Sequence, residues 1–407
     1  MPVFTIAVSI TLNDKGEKSV QIRVNTITTF LLLLSAMLVP MYFTDFRLHF
    51  AGLIIRLADI MSLTIIGLFI LCYQQGKVKL FLPKGFTFLV VFLIYCLLNG
   101  LWHSGVFKAL VATFQWFVIL STLAIVYSHS LMHPKQFTSI FIKTLLGICV
   151  IVVLYHFSIG KFMHYKDLGD AKYVLALTGA LILSYSYYYQ DKRYLLALCI
   201  LYPFIILSLE RKGILAFHVV LFVYLCFSMK ALARIGVLVL FSAFLFFILN
   251  NPSILDFSNF QVFEYNEYEM LGLDEARALW SSNLHRQSLI ENGWDIFKAN
   301  WLFGVGPKML PESMVNYYYN QWLALYTHNV FLDTLIEQGV VGLSLLLSPY
   351  FIYIASGKVK LGKEAVCFVS LCLYSGTMLF FMSGGAPSMV LFYLPLFSGF
   401  ILNKKSD

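Results

Sequence analysis

Three positions in the second half of the chain pair a reactive side chain with a setting able to use it. His328 opens the run His328-Asn-Val-Phe-Leu-Asp-Thr-Leu-Ile-Glu-Gln-Gly-Val-Val-Gly342. An imidazole at the head of an apolar helix can accept a proton near neutral pH. The start of that helix also favours anions, so a diphosphate could sit beside it. Arg286 heads a stretch that reads as an amphipathic helix running into Gly304-Val305-Gly306 and Pro307, which would lay a cation across the mouth of a site. Arg211 lies in the tight charged turn Leu209-Glu210-Arg211-Lys212-Gly213. A guanidinium there can hold a phosphate through two parallel hydrogen bonds.

Each has a plainer alternative. Arg211 and Lys212 can snorkel to lipid head groups, and the Arg286 helix can be a solvated surface helix. A lone histidine is more often structural than catalytic. Arg277 competes with Arg286: the two are nine residues apart, about half a turn out of phase on an unbroken helix, so only one can face a site. Glu337 lies nine residues after His328, hence on the opposite face, where it suits a buried structural hydrogen bond. Earlier in the chain, Arg56 and Asp59 stand about one turn apart inside an expected membrane span. Intramembrane charges are costly, so this is either a structural ion pair or part of a cavity lining. Lys172, near the outer end of a later span, is a weaker candidate of the same kind.

The elements that must position these residues are membrane helices. Of 407 residues, 59% are hydrophobic and only 12% are charged, against about a quarter charged in soluble domains. Runs such as Thr28–Phe43, Phe86–Trp102 and Cys367–Met382 approach or reach the length needed to cross a hydrocarbon core. Hydropathy predicts an all-α, polytopic protein with about twelve spans. Their approximate limits are 28–44, 52–73, 86–102, 108–128, 137–159, 171–189, 194–209, 213–229, 234–250, 329–355, 364–382 and 386–402. Basic clusters such as Lys77, Lys79 and Lys84, Lys192 and Arg193, and Lys358, Lys360 and Lys363 fall in alternate loops. The positive-inside rule then places both termini in the cytoplasm. The formal charge of +8 reads as this orientation signal rather than as affinity for nucleic acid.

The chain therefore divides into 1–250, holding spans one to nine; 251–328, a long outer loop; and 329–407, holding the last three spans. A loop of that length in a compact protein should be folded and functional. A helix is expected from about Asp274 to Asn300, with Pro307 and Pro311 interrupting the chain beyond it. The apolar start, Met1 to Leu12, lacks the basic region and cleavage site of a signal peptide. All seven cysteines lie in expected spans without metal-like spacing and read as small packing residues. No DxD or HExxH motif suggests a metal.

Taken together, these residues resemble the O-antigen ligase and polymerase superfamily. The resemblance rests on His328-Asn329…Leu335-x-Glu337-x-Gly339-x-x-Gly342, preceded by Arg286 and the Gly304-Val305-Gly306 turn, and covers about Ser208 to Leu343. It implies an inverting glycosyltransferase of the bacterial inner membrane, with its site facing the periplasm, needing neither cofactor nor metal. The donor would be a glycan on undecaprenyl diphosphate, among membrane lipids. The acceptor would be lipid A–core in a ligase, or a growing lipid-linked glycan in a polymerase. Arg211 and Arg286 would match the arginines that hold the diphosphate, and His328 the histidine that activates the acceptor hydroxyl. Ligases often show Ser-Arg or Thr-Arg where this chain has Glu210-Arg211, which bears on the choice between the two activities. The form of the His328 motif favours ligase. A lipid-linked sugar flippase or transporter is the distant rival. Such proteins tend to have repeated halves and a midplane site, and this sequence shows neither.

Overall fold

Long apolar runs without internal charge form helices in a membrane protein because only intrasegment hydrogen bonds satisfy the backbone there. The computed structural model follows that rule. It describes residues 8–12, 18–22, 24–42, 47–50, 53–132, 134–158, 172–208, 211–229, 282–317, 326–355, 362–382 and 386–397, with isolated positions between 235 and 243. Arg277, Glu210, most of the expected span 234–250 and the first part of the long loop fall outside these residues.

The helices are α1 (Val24–Met41), α2 (Leu57–Gln74), α3 (Phe86–His103), α4 (Val106–Met132), α5 (Pro134–Ser158), α6 (Lys172–Tyr189), α7 (Leu195–Leu207) and α8 (Arg211–Ser228). Within residues 251–328 lie α9 (Ser282–Ala299) and the short α10 (Leu310–Met314), followed by α11 (Val330–Ala355), α12 (Lys363–Phe380) and α13 (Ala386–Phe397). Two small antiparallel hairpins join them, β1 (Val8–Leu12) with β2 (Lys18–Ile22) and β3 (Arg47–Phe50) with β4 (Leu53–Arg56). Among the described residues, five helices are long and apolar enough to cross a membrane: α2, α3, α4, the Phe137–Tyr155 part of α5, and α11. Parts of α1, α7, α8 and α12 are shorter apolar helices. The chain is thus a polytopic helical membrane protein.

The helices pack as neighbours in two groups. α1 lies against α2 and α5, while α6, α8 and α12 pack together, with α7 beside α6. α3 lies against both α4 and α11, joining the early spans to the end of the long loop. Their apolar contacts merge into one extended core. A second, smaller core lies apart from it: Leu289 and Ile296 of α9, Leu310 and Met314 of α10, and Leu332 and Ile336 of α11. The described residues of α9 and α10 thus pack with the start of α11 around a small apolar core.

α11 is two helices fused across a break. Gly339 has φ 64° and ψ −173°, and the helix changes direction there. A Cβ at Gly339 would also strike the backbone of Leu302 and Phe303, so both the dihedral and the close approach require glycine. Gly342 serves close packing, since an added Cβ would meet Gln338 of its own helix and Tyr95 of α3. Gly339 instead makes the break.

Arg56 and Asp59 need correcting. They do not sit a turn apart inside a helix: Arg56 is the last residue of β4 and the N-cap of α2. The contact shown between them runs from the Arg56 backbone N–H to the Asp59 carboxylate, 3.1 Å away. That carboxylate serves a free N–H at the helix start and complements the helix dipole. Hydropathy could not separate strand from helix here, because the apolar run crosses the junction.

Candidate active site

His328 sits just before α11, half-buried, in the left-handed region with φ 58°. A non-glycine residue held there costs on the order of 1–3 kcal/mol and persists only where its surroundings enforce it. The enforcement comes from both neighbours. Asn329 caps α11: its side-chain oxygen accepts from the backbone N–H groups of Phe331 and Leu332, each at 3.1 Å. Thr327, fully buried, donates to one oxygen of Asp333 twice, from its backbone N–H at 2.8 Å and its hydroxyl at 2.7 Å. The Asn329 N–H in turn donates to the Thr327 hydroxyl at 3.3 Å. The backbone on each side of His328 is tied to α11, which presents the imidazole at the helix start.

Asp333 is a buried residue at this corner that sequence reading passed over. It is 4% exposed, and on an apolar membrane helix its carboxylate requires partners. Its position six residues after Thr327 was the available signal, since a buried acid one turn into a helix can staple the preceding loop.

One helical turn further along α11, Glu337 accepts from the backbone N–H of Leu310 at 3.5 Å and from that of Lys308. It holds the start of α10 against α11, the structural role expected of it. Lys308 also has a positive φ, 63°. Burial pushes its ammonium below the usual lysine range, and Glu337 pulls in the opposite direction. The Tyr326 hydroxyl is pushed well above its ordinary value by burial first, then by Glu337 and Asp333. The acids below His328 thus form a buried, loop-holding cluster.

α9 crosses this corner. A Cβ on Gly293 would meet the methyl of Thr327 at 2.7 Å and Ile336 at 2.9 Å, so α9 runs directly over the residue preceding His328. Arg286 is exposed, seven residues before Gly293 and on nearly the same face. At 1.5 Å per residue that puts it about 10 Å along α9 from the crossing. Arg286 lies on α9, and Arg277 lies outside the described residues, as does any contest between the two.

Arg211 and Lys212 open α8. Lys212 is engaged: its ammonium donates to the Phe381 carbonyl at 3.1 Å and lies 5.1 Å from the Tyr173 ring centroid. These contacts tie the start of α8 to the end of α12 and the start of α6. Lys172 begins α6 next to Tyr173, so both expected cations lie at one end of this bundle. The described contacts join Arg286 to the His328 corner through α9 and leave Arg56 and Asp59 at the β4–α2 junction, away from it.

Seven cysteines carry no disulfide, and five are buried, in keeping with packing roles. Among the described residues, no group of three His, Cys, Asp or Glu stands close enough to hold a metal ion.

No curated protein matches the chain. A family model described as O-Antigen ligase matches residues 194–347. That match runs from the start of α7 to beyond the break in α11 and takes in Arg211, Arg286 and His328. Over the helices that carry the candidate site, residues 194–347 are thus similar to the O-antigen ligase family.

Proposed function

We propose that this protein is an O-antigen ligase, an inverting glycosyltransferase that moves a glycan from undecaprenyl diphosphate to lipid A–core on the periplasmic face of the bacterial inner membrane. The observation that carries the reading is His328, held in a strained left-handed conformation by Thr327, Asp333 and Asn329 within the family-matched segment. A fold that sustains such strain at an ionisable residue is keeping that side chain in one orientation.

In the reaction, the His328 imidazole takes the proton of the acceptor hydroxyl. The hydroxyl oxygen forms the new bond to the anomeric carbon while the bond from that carbon to the diphosphate oxygen breaks, inverting the centre. Undecaprenyl diphosphate leaves with both electrons of that bond. Arg286 and Arg211 neutralise the charge developing on the leaving diphosphate, as preorganised cations do at other phosphates. The polyprenyl tail remains among the helices.

A second reading, polymerase, draws on Glu210-Arg211 standing where ligases often have Ser-Arg or Thr-Arg. The two share donor and chemistry and differ in acceptor. Lipopolysaccharide gels from a ligase-null and a polymerase-null Gram-negative host, each carrying this gene, separate them. Restored high-molecular-weight ladders in the ligase-null host support the proposal. Ladders only in the polymerase-null host replace it with the second reading. If neither host responds, purified protein with matched donor and acceptors decides, and absence of transfer there overturns both.

A further inference from the structure

We infer that Trp301, Leu302 and Phe303, which follow α9 in an expected aqueous loop, dip into the outer leaflet and anchor the end of α9 in the bilayer. The first argument is depth. α3 has 18 residues and is therefore about 27 Å long, against a hydrocarbon core of about 30 Å. It has no length to spare, so its last turn stands at or inside the edge of the apolar layer. Asn99 lies four residues before the end of α3, about 6 Å deeper. Its side-chain N–H donates to the Phe303 carbonyl at 2.9 Å. Tyr95, another turn down, donates to the same carbonyl at 3.2 Å and to that of Gln338 at 2.6 Å. Phe303 is therefore pinned about one turn below the outer end of a membrane helix.

The second argument is the backbone. Breaking α11 at Gly339 frees peptide groups that water would otherwise serve. Here the protein serves them: Val305 N–H donates to Ile336 at 2.8 Å and Gly306 N–H to Glu337 at 2.9 Å. In return, Val340 N–H donates to Trp301 at 2.9 Å and Val341 N–H to Leu302 at 3.3 Å. Reciprocal pairing of this kind is what non-helical backbone needs at membrane depth.

The third argument is the side chains. Trp301 is 55% exposed, Leu302 37% and Phe303 51%, three apolar residues in a row on a loop whose backbone is fixed. No charged residue occurs between Lys298 and Lys308. The outer end of α3 continues the surface with exposed Leu98 and Leu101 and with Trp102, 86% exposed. Tryptophan at this level is the signature of the lipid–water interface. A row of exposed apolar side chains is unfavourable in water and gains about 25 cal/mol per Å² when lipid covers it.

The test is lipid-depth quenching of tryptophan fluorescence in the full chain reconstituted in phosphatidylcholine vesicles. Bromine is placed on the upper part of the acyl chains, and iodide is the aqueous quencher. A protein retaining only Trp301 should be quenched by brominated lipid at least as strongly as one retaining only Trp102, with blue-shifted emission and little response to iodide. Iodide quenching with no bromolipid effect would mean a water- or glycan-facing wall and overturn the inference. If single-tryptophan proteins fail to reconstitute, wild type is compared with Trp301→Phe. Loss of a bromolipid-quenchable component supports the anchor, and an unchanged quenchable fraction overturns it.

Discussion

The His328 corner and the α6–α8–α12 bundle carry candidate residues of one proposed site, yet they are held by different forces. In the bundle, position comes mainly from apolar packing, as where Phe217 of α8 fills the space over Gly179 of α6, with Lys212 adding one polar tie to α12. At the corner, position comes from polar side chains joining separate segments, Thr327 to Asp333 and Glu337 to Leu310, over a plug of six buried apolar residues. Packing sets where a helix lies but leaves a surface side chain free to choose rotamers. Directional hydrogen bonds can hold one residue in a conformation it would otherwise leave. The corner thus fixes a backbone turn, and the bundle fixes where its helices lie.

That contrast can be broken by substitution. His328→Ala is expected to have the largest effect, removing a general base worth about 10²–10⁴ in rate, with expression and detergent-solubilised thermal stability unchanged. Full transfer activity in this variant would end its assignment as base. Arg286→Ala should cost about 10²–10³ in transfer rate. Arg286→Lys should recover only part of it, because an ammonium cannot reproduce the two-pronged contact. Equal activity of the Ala and Lys variants would make the bidentate contact wrong.

Gly339→Ala tests the break itself. Backbone strain costs on the order of 1–3 kcal/mol, and the collision with Leu302 adds to it, so the thermal midpoint in detergent should fall clearly. An unchanged midpoint would mean that α11 straightens without penalty. Asp333→Ala leaves the buried Thr327 N–H unserved and removes the shorter of its hydroxyl contacts, a loss of about 1–3 kcal/mol. Asp333→Asn keeps an oxygen for both donors and should retain most of the activity. Equal losses in the two variants would assign the effect to charge rather than to the staple. The smallest effect belongs to Lys108 and Glu312, a partly exposed ion pair joining α4 to α10. A double-mutant cycle should yield under about 1 kcal/mol of coupling, and a larger value would make this link part of the corner's rigidity.

The candidate groups were legible in the sequence. His328, Arg286 and Arg211 stand out because charge and imidazole are rare in so apolar a chain, and the long polar stretch before His328 is conspicuous among short connections. Asp333 escaped notice because its partner is a neighbouring backbone rather than another charged group. Arg56 was misplaced because hydropathy sums over a strand–helix junction without seeing the change in dihedrals.

The sequence by itself determined that this is a helical membrane protein, the order of its candidate groups and its resemblance to a superfamily. Those properties are sums over local stretches, and hydropathy and spacing carry them. Only the tertiary structure decided that His328 is held in a left-handed turn, that α11 breaks at Gly339, and that Phe303 hangs from Asn99. Each depends on which partner satisfies a freed donor or acceptor. For Phe303 that partner lies 204 residues away, and no local pattern can name it.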